Sequence, residues 1–252
     1  MDRRNFLKTG GIALLGSLAT GSAMALTTPG ALGGEGADKK AAVALAMNHF
    51  GVSEADLKKV LAAALEKGGD YADLFFEHTI SNSIRLMDGA VNNSYSNIDY
   101  GVGVRVLTGD QSGYAYVENI TVEDMLKAAR TAARIASANK GNKPLNLTEK
   151  ELKKNYYTVA SPWEEVSLKD KMPYLQKLND RIFALDKRVH KVQASQSDTT
   201  SHIFFCNSEG VMFYDYRPMV TLGAVCIMEE DGKTENGYAA RAYRRGFDFL
   251  SD

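Results

Sequence analysis

Cysteine is scarce. Cys206 and Cys226 are the only two in the chain and form no C-x-x-C pair, so neither a disulfide framework nor a cysteine zinc site can be read from them. Their expected role is that of small, buried apolar side chains. An excess of one charge is also missing. The 30 lysines and arginines are matched by 31 aspartates and glutamates, a formal net charge of −1, which does not supply the basic footprint of a nucleic-acid binder. The complete P-loop pattern and the G-x-S-x-G nucleophile elbow are both lacking. Histidine is sparse too: His49, His78, His190 and His202 stand singly, none three or four residues from another as a helical zinc pair requires. Surface or packed histidine is the plain reading of each. The carboxylate pairs Glu164-Glu165 and Glu229-Glu230 read as solvated, and no complete active site is visible.

At 252 residues with 44% hydrophobic content, the chain is ordinary globular material. Its start, "MDRRNFLKTGGIALLGSLATGSAMA", places Arg3 and Arg4 ahead of Phe6 and Leu7. A short, glycine-diluted apolar run follows, then the small residues Ala23 and Ala25 around Met24. This is the pattern of a twin-arginine export signal over residues 1–25, and its apolar run is shorter than the roughly 20 residues a membrane span needs. No stable membrane span is therefore expected. Removal of the signal would leave 27 basic and 30 acidic residues. Residues 26–40 read as a flexible, glycine-rich linker, with the folded part at 41–252.

Three helices are marked by their start signals: Ser53-Glu54-Ala55-Asp56, Thr121-Val122-Glu123-Asp124 and Ser167-Leu168-Lys169-Asp170. Apolar stripes at helical spacing follow each, the third running Leu168, Met172, Leu175, Leu178, Ile182, Leu185. Elsewhere the period is two: Ala72, Leu74 and Phe76, then Val102, Val104 and Val106, then Tyr114 and Tyr116. Asp88-Gly89, Gly109-Asp110, Glu209-Gly210 and Asp231-Gly232 supply turns that tolerate positive φ, which implies antiparallel hairpins. The Gly-x-Gly at Gly101 and Gly103 is not a dinucleotide fingerprint, because Val106 stands where the third glycine belongs and a strand follows instead of a helix. These glycines suit close backbone approach in a sheet.

The pattern occurs twice. "IRLMDG" at 84–89 is echoed by "FCNSEG" at 205–210, Val102–Val106 by Leu222–Cys226, and Gly113-Tyr114-Ala115 by Gly237-Tyr238-Ala239. The expected fold class is α+β: antiparallel meanders covered by helices, two helix-then-strands repeats over about 53–119 and 167–243 that share one core.

The run from Leu86 to Ala132 resembles the N-terminal domain of the TldD/PmbA family, known as modulators of DNA gyrase and regarded as zinc metallopeptidases. The motif positions that carry the resemblance are Asp88, Gly89, Gly101, Gly103, Arg105, Gly113 and Tyr114, and "RAYRRGFDFL" at 241–250 looks like the segment closing the family's N-terminal half. The family's catalytic element, a His-Glu-x-x-x-His helix with a cysteine ligand, has no counterpart here, so no catalytic or metal residue carries over. The resemblance implies the substrate-enclosing and dimer-forming half of an exported peptidase acting on peptides or unfolded proteins. No cofactor is expected in this chain, zinc in the full-length parent, and no activity from the chain alone. Expected partners are a catalytic C-terminal half or a second TldD/PmbA-type subunit, and a peptide substrate. The alternatives are a non-catalytic peptide-binding or partner subunit of such a protease, and, more weakly, a periplasmic small-ligand binder. The export signal implies a periplasmic or otherwise exported protein, whereas family members are usually cytoplasmic.

Overall fold

A computed structural model describes residues 39–136, 146–150 and 159–251. The twin-arginine positions Arg3, Arg4, Phe6, Leu7, Ala23 and Ala25 lie outside the described residues. Helix α1 (Lys39–Phe50) ends on Gly51 at φ 66°. Ser53 then caps α2 (Glu54–Leu65), its hydroxyl accepting from the Asp56 N–H at 3.2 Å while its own N–H donates to the Asp56 carboxylate at 3.1 Å. Strands β1 (Tyr71–Met87), β2 (Ala90–Thr108) and β3 (Gln111–Val117) form a meander. Its turns use Asp88 and Gly89 at φ 50° and 80°, and Gly109 at φ 57°. Helix α3 (Val122–Ile135) follows, capped by Thr121.

After the two-residue β4 (Thr148–Glu149) come a 3-10 turn (Trp163–Glu165) and α4 (Leu168–Leu185), where the Ser167 N–H donates to Asp170 at 3.2 Å. A second meander, β5 (Val189–Asn207), β6 (Val211–Glu230) and β7 (Lys233–Tyr243), leads to a closing 3-10 turn (Phe247–Ser251). Each meander thus follows a helix.

The strands form one sheet ordered β3-β2-β1-β5-β6, with β4 and β7 both pairing β6. All pairings are antiparallel except β4 with β6. The two meanders join through β1 and β5, in register from Asp73 opposite Asn207 to Met87 opposite Gln193. The strands extend well beyond the alternating runs that announce them. The "VNNSYSN" part of β2 is exposed except for a half-buried Asn, so no apolar alternation marks it.

Even-numbered residues of β1 and β5 share the covered face. Ala72, Leu74, Phe76, Phe204 and Cys206 pack beneath α2 and α3 in the main core, which includes Leu57, Val60, Leu61, Met125 and Ala129. Burying each such large side chain contributes at most about 1.5–3 kcal/mol. At the other end of the same face, Ile84, Leu86 and Ala194 pack under Leu175 of α4 in a smaller cluster. The expected apolar stripe of α4 is only partly used: Leu185 is 80% exposed and Leu168 42%, while Lys171 and Asn179 are buried. Lys171 is buried because the start of α4 crosses a polar belt between the two clusters, whereas Asn179 packs against the β1–β2 turn at Gly89.

Lys171 anchors that belt. Its Nζ lies 2.7 Å from Asp198 Oδ2, with both side chains almost wholly buried. Asn82 Nδ2 and Gln196 Nε2 also donate to this carboxylate, at 3.1 and 3.2 Å. An ion pair taken out of water is tolerable only when its lone pairs are satisfied in this way.

Two predictions follow from this packing. Lys171→Met should destabilise the fold by about 3–5 kcal/mol, because it strands a buried carboxylate, and adding Asp198→Asn should restore part of the loss in urea denaturation. Gly113 lies where α3 crosses β3, and a Cβ there would strike the Ala132 carbonyl. Gly113→Ala should therefore cost about 1–3 kcal/mol by overpacking, whereas Gly237→Ala, whose Cβ meets nothing within 4 Å, should stay within about 0.5 kcal/mol of the parent.

Candidate functional site

His78 is in phase with Ala72, Leu74 and Phe76 along β1, so its imidazole emerges on the covered face. The strand register then sets a row across four strands: Tyr100 on β2, His78 on β1, His202 on β5 and Tyr216 on β6. The last turn of α1 lays His49 over this row and Phe50 over the row below, where Phe76 and Phe204 lie 5.4 and 6.4 Å from the Phe50 ring centre. Three of the chain's four histidines thereby converge, with ring centres 4.9 Å apart for His49 and His78, 5.1 Å for His49 and His202, and 5.8 Å for His78 and His202.

His49 Nε2 and His78 Nδ1 are 2.8 Å apart and share a hydrogen bond between rings tilted by only 26°. His202 is hydrogen-bonded on both sides, Nδ1 to the Tyr214 hydroxyl at 2.7 Å and Nε2 to Glu164 Oε2 at 3.3 Å. Glu164, read from sequence as solvated, is instead largely buried at 12% side-chain exposure. The cause is the Trp163 3-10 turn, which folds back over the sheet with its indole N–H donating to the Arg245 carbonyl at 2.7 Å.

Burial, reinforced by the neighbouring charges of His202 and His78, lowers the His49 pKa to about 4, with Glu164 opposing. Burial and His202 lower that of His78 as well. Burial, with the Glu164 charge second, pushes the Tyr214 and Tyr216 phenols well above their usual range. The site therefore favours neutral rings at His49 and His78 and protonated phenols at Tyr214 and Tyr216. Beside it, between Trp163 and strands β1 and β2, opens a cavity of about 320 Å³ lined in part by Asn82, Tyr95, Ser96, Glu164 and Lys171.

These residues do not fit a zinc ion. Among the described residues, no three His, Cys, Asp or Glu side chains bring their donor atoms together as a metal requires. The imidazole nitrogens named above are engaged with one another, with Tyr214 and with Glu164. The two cysteines are no nucleophile pair either. Cys206 is buried, with its thiol pKa raised by burial, and lies opposite Met212, whereas Cys226 lies opposite Val192 at the far end of the same strand pair.

The motif residues singled out from sequence lie away from the histidines and serve the scaffold. Asp88 exchanges two bonds with Val192, its N–H donating to that carbonyl and its Oδ1 accepting from that N–H, each at 2.9 Å. Gly89 completes the turn. The Arg105 guanidinium holds Asp73 at 2.6 Å. The Tyr114 ring lies across Gly103, so that a Cβ there would come within 2.5 Å of its hydroxyl, and a Cβ at Gly101 would come equally near the Val117 carbonyl. Gly113 faces α3. The cluster itself escaped detection because 29 residues separate His49 from His78 and still more separate His78 from His202. A usable signal existed, since His202 is in phase with Phe204 and Cys206 just as His78 is with Phe76.

Comparison with known proteins places this arrangement in a family. Residues 72–136 match the family model for PmbA/TldA metallopeptidase domain 1, and residues 161–252 match that for the PmbA/TldA metallopeptidase central domain. The chain is 31% identical over 185 residues to a protein of Haemophilus influenzae named metalloprotease TldD homolog, an alignment covering 72% of this chain and 38% of that protein. A protein of the same name from Buchnera aphidicola is 27% identical, covering 81% of this chain and 42% of its own length. The chain thus spans about two fifths of these curated relatives. Among solved structures, a protein described as a modulator of DNA gyrase from Bacteroides thetaiotaomicron superposes with a TM-score of 0.61 at 13% identity, covering 76% of this chain and 45% of that one. TldE from Thermococcus kodakarensis gives 0.53 at 15% identity, covering 75% and 43%. At such identities the superpositions speak for the fold alone. The two family models, matched in series over most of the chain, show that it belongs to the TldD/PmbA family.

Proposed function

We propose that this chain is the substrate-enclosing and dimer-forming part of an exported TldD/PmbA-type zinc metallopeptidase that acts on peptides or unfolded proteins. The observation that carries the reading is the pair of matches to the first and central domains of a metallopeptidase, on residues that offer no zinc donor set. The zinc, which would activate a water for attack on a peptide bond, belongs in this reading to a His-Glu-x-x-x-His element outside these 252 residues. The present residues supply surface and shape. The cavity beside Trp163 gives room for a substrate side chain, and exposed Tyr95, Ile98, Tyr114, Tyr116 and Tyr238 on β2, β3 and β7 suit an interface with another subunit. Export rests on Arg3, Arg4 and the Ala23-Met24-Ala25 site.

The purified chain alone should hold no stoichiometric zinc and leave an unfolded peptide intact. Co-expressed with a segment that carries the His-Glu-x-x-x-His helix, it should co-purify with that segment, and the complex should cleave the peptide and lose activity to a chelator. Zinc-dependent cleavage by the chain alone would overturn the assignment. Co-purification with a separate zinc-bearing subunit and no effect on its rate would favour the partner-subunit reading. Fractionation of cells expressing the tagged full gene should recover a shortened product outside the cytoplasm, and an unprocessed cytoplasmic product would refute export.

A further inference from the structure

We propose that the His49–His78 hydrogen bond is a pH-released clasp that fastens the last turn of α1 to the sheet. An imidazole-to-imidazole bond needs one ring nitrogen with a hydrogen and one with a free lone pair, so it survives a single shared proton and fails when both rings are charged. At His49 Nε2 and His78 Nδ1 the bond is 2.8 Å long. Two cationic rings at this spacing would turn donor toward donor and repel, with the ring centre of His202 only 5.1 Å from His49.

The groups facing the clasp do little to offset that repulsion. From β2 comes Tyr100, edge-on to His78. From β5 comes His202, and from β6 Tyr214 and Tyr216, whose phenols stay protonated. The 3-10 turn contributes Glu164, already bound to His202 at 3.3 Å and the carboxylate among the described residues that acts on both His49 and His78, while Glu165 and Asp215 act on the phenols. Lys171 and Asp198 sit further along the belt and satisfy each other.

What the clasp holds is a small unit. α1 reaches the rest of the molecule through Val43, Ala46 and Phe50, all buried, and Val52 closes its end by donating to the Met47 carbonyl at 2.9 Å. Lifting its last turn uncovers the Phe76–Phe204 edge of the main core and the histidine row, while α2 and α3 stay seated on the rest of that core. The sign is fixed by linkage. His49 binds a proton less readily when docked, near pH 4, than when free, near its ordinary value of 6.5. The released state therefore takes up more protons, and docking is at full strength above pH 6.5 and weakens as pH falls toward about 4. The change is at most about tenfold in the opening equilibrium per pH unit for each proton gained, and less where solvent screens the rings. This device does not rest on the peptidase reading and would operate in the isolated chain.

Amide hydrogen exchange on the full chain tests it. Protection factors of the α1 amides from Leu45 to Phe50, corrected for intrinsic rates, should be flat from pH 8 to 6.5 and fall severalfold to tenfold per unit below that, while those of Met125 to Ala133 in α3 stay constant. His49→Gln, which keeps a hydrogen-bonding amide and removes the titration, should flatten the slope. An unchanged slope in that variant, or no slope in the parent, overturns the clasp. A direct NMR titration of the parent's imidazoles needs no variant: a His49 midpoint well below 6.5 supports the clasp, and a midpoint at or above 6.5 with α1 still docked refutes it.

Discussion

The rest of the molecule depends on the antiparallel pairing of β1 with β5. Each meander alone would leave a naked sheet face and an unpaired edge. Pairing removes both edges and turns two three-stranded units into one sheet. The register is strongly specified because side chains alternate with period two. A slip of β1 by one residue would send Leu74 and Phe76 to the open face, away from Phe204 and Cys206, and bring Asp73, Phe75 and Glu77 under α2. The same register sets His78 opposite His202 and Asn82 opposite Asp198. Core and belt are therefore consequences of a single alignment.

That alignment creates a problem as well as solving one. The paired strands are longer than either helical cover, so the covered face cannot be apolar throughout. α2 and α3 close one end, α4 closes the other, and the middle is polar. Three donors to Asp198 and the engagement of both His202 nitrogens satisfy most of these groups. The Gln196 Oε1 atom remains without a protein partner among the described residues, and the Thr200 and Tyr216 hydroxyls have at best a weak bond to each other. Buried polar atoms left in this state lower stability by about 1–3 kcal/mol each, so the belt is the least optimised part of the covered face.

What was legible in the sequence follows the range of the forces involved. Caps at Ser53, Thr121 and Ser167 and the turns at Asp88-Gly89, Gly109 and Asp231-Gly232 are decided within a few residues, and each appears where its local chemistry places it. Gly101 and Gly103 could be read as points of close approach, but their partners, the Val117 carbonyl and the Tyr114 ring, could not, and neither could the Ala132 carbonyl that requires glycine at 113. The full length of β2 was hidden because most of its first half faces water and needs no apolar alternation. The histidine cluster is assembled by register and by the seating of α1, both long-range outcomes. Glu164 was misjudged for the same reason, since an acidic residue at a helix approach is solvated unless a distant strand happens to lie beneath it.

The histidine row also differs in kind from the glycine motifs. A glycine at 113 is demanded by the fold, because no side chain fits against α3. Nothing in the sheet demands histidine at 49, 78 or 202. An aliphatic residue at 78 would continue the alternation of Phe76 with no desolvation of ring nitrogens, whereas one at 202 would strand Glu164 and the Tyr214 hydroxyl. Here the chain retains imidazoles at 49 and 78 whose protonation is disfavoured where they sit. Stability of the sheet does not explain that choice, whereas a contact that must respond to protons does.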